Sequence, residues 1–293
     1  MRQSQSSFIP STGGGPSTAI EAMHENTTSL VTHTGDSRFL SLRTLQTPQG
    51  RDRTGLYLIE GIRHVARAVE CSAPIQSVFV EPSVLSNRFG QKLVRRLRQS
   101  AVPVVQLTPA VYRELTWAME PQGIGAVIRQ ECIPPSQAQP ARRSLWLAVE
   151  AIDSPGNLGT IIRTGEATGV SGIFLLGSNT DPWDPIAVRA SMGSLFSQKL
   201  IRCSIREFTD WAKAFGVSTV GSSPGGLLHY KSLPRRRPAV LLIGSERHGL
   251  SDQLLESSDF MVRIPMRGRC DSVNAAVAAG VLLFEMSNQT SET

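Results

Sequence analysis

Leu145-Trp146-Leu147-Ala148-Val149-Glu150-Ala151-Ile152, followed at once by Asp153-Ser154-Pro155-Gly156-Asn157-Leu158-Gly159 and Thr160-Ile161-Ile162-Arg163-Thr164, decides how this chain is read. The first part is a short apolar run, which predicts a strand. Ser154 then stands as a helix cap with Pro155 at the first helical position, so the strand runs directly into a helix. The alternation repeats downstream. Strands are predicted at 172–176, 217–220, Ala239–Ile243 and 260–264, with a weaker sixth at 198–202 and a closing helix over 273–286. Short apolar strands alternating with helices argue for a mainly parallel α/β sheet covered on both faces. Ligands of such sheets bind in loops beyond the carboxyl ends of the strands.

Working back from that unit, residues 132–143 place Pro134, Pro135 and Pro140 among Gln and Ser, which reads as a linker. Ahead of it, 37–131 carry a second, smaller α/β pattern. Leu56-Tyr57-Leu58-Ile59 is a strand, and Ile62, Val65, Ala66 and Val69 recur at helical spacing. Residues 77–80 and 102–107 are two further strands around a helix bearing Arg95, Arg96 and Arg98. Residues 1–36 are rich in Ser, Thr, Gly and Pro and bury too little apolar area to offset ordering entropy, so they are expected to be a disordered tail. The larger unit is bounded at 144–288.

Composition narrows the partners. The chain has 293 residues and a net charge of +6, and its lysines are limited to Lys92, Lys199, Lys213 and Lys231. Nearly all the positive charge is therefore arginine, which suits phosphate recognition, although genome base composition gives the same bias. Cys71, Cys132, Cys203 and Cys270 are scattered, with neither zinc-knuckle spacing nor a disulfide framework, as expected in a reducing cytoplasm. No apolar run approaches the roughly 20 residues needed to span a bilayer. No metal site is expected.

Two more segments lie directly after strands. Leu242-Ile243-Gly244-Ser245-Glu246-Arg247-His248-Gly249-Leu250 brackets a Glu between glycines, and Glu246 occupies the place of a dinucleotide fingerprint's middle glycine. Ile264-Pro265-Met266-Arg267-Gly268-Arg269-Cys270-Asp271-Ser272-Val273-Asn274 runs into an Ala-rich helix, with Ser272 as its expected cap. Val273, Ala276, Val277, Gly280, Val281 and Phe284 form its expected core-facing stripe. Arg267 and Arg269 are candidate phosphate contacts. Arg95, Arg96, Arg98, Arg142 and Arg143 are candidate RNA contacts, although arginine runs are more often solvated surface, and Arg235-Arg236-Arg237 reads as a loop before a strand. Asn157 and Arg163 are six residues apart, about 600° of helix, so they do not share a face. If both serve one site, Asn157 lies in the turn and Arg163 one to two turns in.

Taken together, the order, spacing and wording of these three segments resemble the signature motifs of the SpoU family of RNA ribose methyltransferases, in the SPOUT superfamily, over roughly 145–286. Residues 37 to about 130 resemble the family's ribosomal-protein-like substrate-binding domain through Tyr57-Leu58-Ile59-Glu60-Gly61 and Pro121-Gln122-Gly123-Ile124-Gly125. The resemblance implies a Rossmann-like sheet with a C-terminal trefoil knot, an exception to the rule of unknotted chains. It also implies a homodimer and an RNA substrate, ribosomal RNA before transfer RNA, with no role for DNA or membrane. Gly244, Ile264 and Val273 would hold S-adenosylmethionine through backbone groups. Asn157, Arg163, Glu246, Ser272 and Asn274 would form the catalytic and positioning set, with Arg163 as the family's favoured general base. Val273 departs from the family's usual Leu. A non-catalytic RNA-binding or ribosome-assembly protein on the same scaffold is the alternative from another class, disfavoured because all five polar residues are present.

Overall fold

The computed structural model describes residues 30–177, 180–234 and 236–288. Most of the expected tail, together with Arg235, lies outside the described residues. The tail's last stretch does not behave as one. Leu30–Val31 (β1) pairs in parallel with β4 (Val104–Leu107), Val31 is fully buried, and Asp36 caps the first helix, α1 (Ser37–Thr44). The short apolar pair Leu30-Val31 is enough to extend the sheet by one edge strand.

The N-terminal unit continues through α2 (Pro48–Thr54), β2 (Leu56–Glu60), α3 (Ile62–Glu70), β3 (Ile75–Val80), α4 (Arg88–Gln99), β4, α5 (Pro109–Arg113) and β5 (Ile124–Arg129). Its five strands are ordered β1-β4-β3-β5-β2. The β5 strand, which is not among the strands expected from the sequence, runs antiparallel to both β2 and β3.

The C-terminal unit has seven strands, all parallel: β6 (Leu145–Glu150), β7 (Ile173–Leu176), β8 (Leu200–Cys203), β9 (Ser218–Ser222), β10 (Leu228–His229), β11 (Ala239–Ile243) and β12 (Phe260–Arg263), in the order β10-β12-β9-β11-β6-β7-β8. Every residue of β6 is buried. Leu145, Leu147 and Val149 enter one core with Ile161 and Ile162, while Trp146 and Ala148 enter another with Phe174, Phe208 and Trp211. Alternation along the strand thus feeds two helical layers. The first holds α6 (Pro155–Ala167), α7 (Pro185–Ala190) and α10 (Ala275–Asn288), and the second holds α8 (Ile205–Ala214). α9 (Asp252–Glu256) buries Leu254 in the second core. A Cβ on Gly159 would lie 2.2 Å from the Ala187 carbonyl oxygen, so only glycine lets α6 and α7 approach this closely.

The Pro-rich connector is packed. Ile133 N–H donates to the Leu200 carbonyl (2.9 Å), Ala138 is fully buried, and the Trp211 indole donates to the Ala138 carbonyl (2.6 Å). The two units also share a buried ion pair. The Arg51 side chain, 1% exposed, donates to Asp181 (2.7 Å) and lies 3.5 Å from Asp184, with its remaining nitrogen on the carbonyls of Leu45 and Gln46. Arg67 reaches Glu166 at 3.1 Å, and the first core is continuous from Tyr57 and Ile59 to Leu158. Among the described residues no helix is long and apolar enough to cross a membrane.

Candidate active site

Three loops leave the carboxyl ends of β6, β11 and β12, and a chain of side-chain hydrogen bonds joins them. In the first, Ala151 adopts φ 50°, a left-handed conformation that costs a non-glycine residue energy and turns the chain sharply out of the strand. Ser154 Oγ then accepts from Asn157 N–H (3.4 Å), with Pro155 opening α6 as expected. Asn157 therefore sits in the first helical turn, its amide at the rim.

The second loop closes on itself. Ser245 and Gly249 exchange both main-chain hydrogen bonds at 3.0 Å, and His248 N–H donates to Ser245 Oγ (3.1 Å). This return needs two glycines: Gly249 has φ 69°, and a Cβ on Gly244 would lie 2.1 Å from Gly249 C. The closed loop carries Glu246 at its tip. The Glu246 carboxylate accepts from Asp153 N–H (3.0 Å), Ser154 N–H (3.3 Å) and Asn157 Nδ2 (2.8 Å). Burial alone would raise its pKa, but the hydrogen bonds from Asn157 and from the main chain of Asp153 and Ser154 outweigh it and hold the carboxyl below its ordinary value. It is an anion at neutral pH. It satisfies the free main-chain donors where α6 begins, a position that favours negative charge.

The third loop joins through Asn274. Its Nδ2 donates to Asn157 Oδ1 (3.0 Å), and its own Oδ1 accepts from Ala276 N–H (2.9 Å) and Val277 N–H (3.3 Å). Asn274 is therefore the cap of α10, and the expectation for Ser272 is corrected: Ser272 is exposed and makes no hydrogen bond with the described residues. The apolar stripe is corrected as well. Ala276, Ala279, Leu282, Leu283 and Met286 face the core, while Val273, Val277 and Phe284 are 39%, 53% and 51% exposed. A helix start two residues later than expected does not change its phase; the helix is apolar on most sides, so the sequence offers two faces for burial, and the one with Leu282, Leu283 and Met286 is buried.

Asn157, Glu246 and Asn274 thus meet. Arg163 does not join them. It lies two turns along α6, about 9 Å further down the axis at 1.5 Å per residue. Its exposed guanidinium forms no ion pair or hydrogen bond with the described residues. Gly244 and Ile264 leave β11 and β12, which flank β9 and so stand about 10 Å apart at the usual strand spacing. Residues 264–273, with Arg267 and Arg269 exposed among them, make no hydrogen bond with the described residues. Their main-chain donors and acceptors are open to a ligand. This fits a group held largely by backbone, as expected at Gly244, Ile264 and Val273. One contributor escaped the sequence reading. Glu150, buried at the end of β6, accepts from Ser251 N–H (2.8 Å) and fastens the chain just past the Glu246 loop. A carboxylate ending an otherwise apolar strand was the available signal.

The chain matches the SpoU rRNA Methylase family over residues 144–284 and the MRM3-like substrate binding domain over 38–126. It is 31% identical to the 23S rRNA (uridine(2479)-2′-O)-methyltransferase of Streptomyces viridochromogenes, across 82% of this chain and 85% of that protein. It is 28% identical to the 23S rRNA (guanosine(2553)-2′-O)-methyltransferase RlmP of Bacillus subtilis, across 83% and 93%. The AdoMet-bound rRNA methyltransferase from Sinorhizobium meliloti superposes with a TM-score of 0.82 at 31% identity, covering 90% of this chain and 99% of that one.

Proposed function

On the premise that this chain belongs to the SpoU rRNA methylase family, we propose that it is an S-adenosylmethionine-dependent methyltransferase acting on a ribose 2′-hydroxyl of ribosomal RNA in the cytoplasm. The observation that carries this reading is the hydrogen-bonded line Glu246–Asn157–Asn274, which draws three loops at the carboxyl end of one sheet into a single polar site. Gly244 and the open backbone of residues 264–273 would hold the cofactor. When bound, S-adenosylmethionine supplies a methyl group on a sulfonium that leaves as a neutral thioether.

The chain's own task is the nucleophile. A ribose hydroxyl is barely ionised at neutral pH, so its oxygen must be aligned and its proton removed. Glu246 fixes Asn157 in one orientation, and Asn157 in turn fixes Asn274, so the rim enters the reaction already ordered. Arg163 is the side chain proposed to face the developing alkoxide. Its guanidinium stays protonated, so it stabilises negative charge on O2′ while water or an RNA phosphate accepts the proton. Ser272, which makes no hydrogen bond with the described residues, is available to the ribose or the adjoining phosphate.

Arg163 reaches such a site in a homodimer. Val277 and Phe284 are exposed on one stripe of α10, and half-buried Gly280 lies between them, where a Cβ would sit 3.9 Å from the methyl of Thr164, the neighbour of Arg163 on α6. A second copy seated on this stripe would bury it and bring Arg163 into the interface. The insertion of β11 between β9 and β6, and of β12 between β9 and β10, supports the threaded C-terminal path expected of a trefoil knot.

The test is to incubate the protein with cofactor and 23S rRNA and map 2′-O-methyl groups. Wild type should add one at a defined nucleotide. Arg163→Ala should lose about a hundredfold or more of the rate while cofactor affinity and melting temperature hold. Methylation of a base, or unchanged turnover in that variant, would overturn the reading.

A further inference from the structure

The two N-terminal segments that carry the second resemblance meet in space, yet methyl transfer does not use them. Gly61 N–H donates to the Ile124 carbonyl (2.9 Å), and Ile62 N–H donates to Gln122 Oε1 (2.8 Å), so the end of β2 and the turn before β5 are joined. Glu60 extends the assembly. Its carboxylate accepts from the Tyr112 hydroxyl (3.2 Å), the Thr116 hydroxyl and Trp117 N–H (3.0 Å), which pins the 116–117 loop above the same spot.

Opposite lies α7 of the catalytic unit. Between them opens a cavity of about 540 Å³, lined by Gln122, His64, Trp117 and Met119 from one unit and by Val188 and Arg189 from the other. Its rim combines apolar and basic surface, with the exposed Glu120 carboxylate also in the lining. Trp117 is 38% exposed and Met119 96%. Arg63 and Arg189, one from each unit, are exposed and form no ion pair or side-chain hydrogen bond with the described residues. His64 lies in the wall with Nε2 unpartnered, and burial pushes its pKa below the ordinary value, leaving a neutral ring.

Helix α7 links the wall of the cavity, through Val188 and Arg189, to the loop that carries the catalytic rim. Ile186, 61% exposed, lies one turn before Arg189 on α7, and a Cβ on Gly156 would come within 3.9 Å of it. Gly156 immediately precedes Asn157. Ile186 thus stands between the two places, on the path that a short stretch of single-stranded nucleic acid would follow.

An exposed indole and thioether beside a neutral imidazole suit a flat uncharged ring, and two unpaired arginines at the lip suit phosphodiesters on either side of it. An apolar helix of a partner protein would leave both guanidinium groups unmatched. We propose, resting on the RNA reading above, that this cavity takes one unstacked nucleobase of the substrate RNA, a few nucleotides from the methylated ribose. The base stacks on Trp117, and Arg63 and Arg189 hold the flanking phosphates. The base pocket, formed by both units, selects the RNA, while the rim ordered by Glu246, together with Arg163, serves the chemistry.

Trp117→Ala should raise the KM for 23S rRNA about tenfold to a hundredfold, the range of one lost base stack. The kcat at saturating RNA, the cofactor affinity and the melting temperature should be unchanged, and Trp117→Phe should recover most of the loss. An abasic scan of a short RNA spanning the mapped nucleotide supplies the second arm. One abasic position should weaken binding by wild type to the level of Trp117→Ala, with no further loss in the variant. Normal KM in Trp117→Ala, or no abasic position coupled to Trp117, would overturn the pocket while wild-type methylation still stands. Absence of wild-type methylation would overturn the RNA reading instead.

Discussion

Glu60 and Glu246 are two uses of the same device. Each is a carboxylate at or just past a strand's carboxyl end that gathers a loop by accepting three hydrogen bonds. Their partners differ. Those of Glu60 all come from residues 112–117, so it anchors one local loop. Those of Glu246 lie about ninety residues upstream, and one of them, Asn157, passes the connection on to Asn274 in a third loop. Glu60 therefore shapes one surface loop, whereas Glu246 ties together the loops of the proposed reaction centre. Loss of the first should be felt in substrate binding and loss of the second in turnover.

Three experiments sharpen that contrast. The largest effect is expected from Glu246→Ala, which leaves two main-chain donors and the Asn157 amide without their acceptor and frees Asn157 to rotate. Single-turnover methylation should slow by about a hundredfold, the scale seen when a preorganised polar group is lost from a catalytic site, with RNA affinity nearly intact. A fall in RNA affinity instead would merge the two roles. Next comes Glu60→Ala. Releasing the loop that carries Trp117 should raise the RNA KM by about tenfold, the value of one charge-assisted hydrogen bond, and leave kcat within about twofold. A kcat defect of the Glu246 size would erase the distinction.

The smallest effect is the pH dependence of the Glu246 contacts. Because the folded carboxyl titrates below its ordinary value, its contribution is fully present above that value and is lost as pH falls through the folded pKa. The melting temperature of wild type should therefore exceed that of Glu246→Gln near neutrality, and the gap should narrow in acid. A gap that widens in acid would contradict the sign.

Much of this was legible in the chain. The buried run 145–150 and the cap-plus-proline at Ser154-Pro155 fixed a strand entering a helix, because burial on both faces and cap chemistry are local properties. The weak sixth strand at 198–202 was real, as β8 at the sheet edge, where fewer apolar residues are required. Other features were not local. β5 and β10 exist because partners are present to pair with them. The buried and exposed faces of α10 could not be told apart, since Val277 and Phe284 are as apolar as Leu282 and Leu283. At the site, residue types and spacing nominated Asn157, Glu246 and Asn274, which the fold joins by hydrogen bonds. The cap moved from Ser272 to Asn274, because a cap depends on where the helix begins and not on side-chain chemistry alone. Spacing did show that Arg163 and Asn157 could not share a helical face, and it stands apart from the cluster.

The Arg51 ion pair has a consequence for how the molecule measures RNA. Its guanidinium is sealed from solvent and held by groups of both units, so moving one unit against the other would strip a buried charge of its counterions. The Trp117 cavity and the Asn157 rim are thus fixed relative to each other like the jaws of a caliper. The nucleotide to be modified is then chosen by the span between them, and a relative could retarget itself by reshaping one jaw while keeping the other.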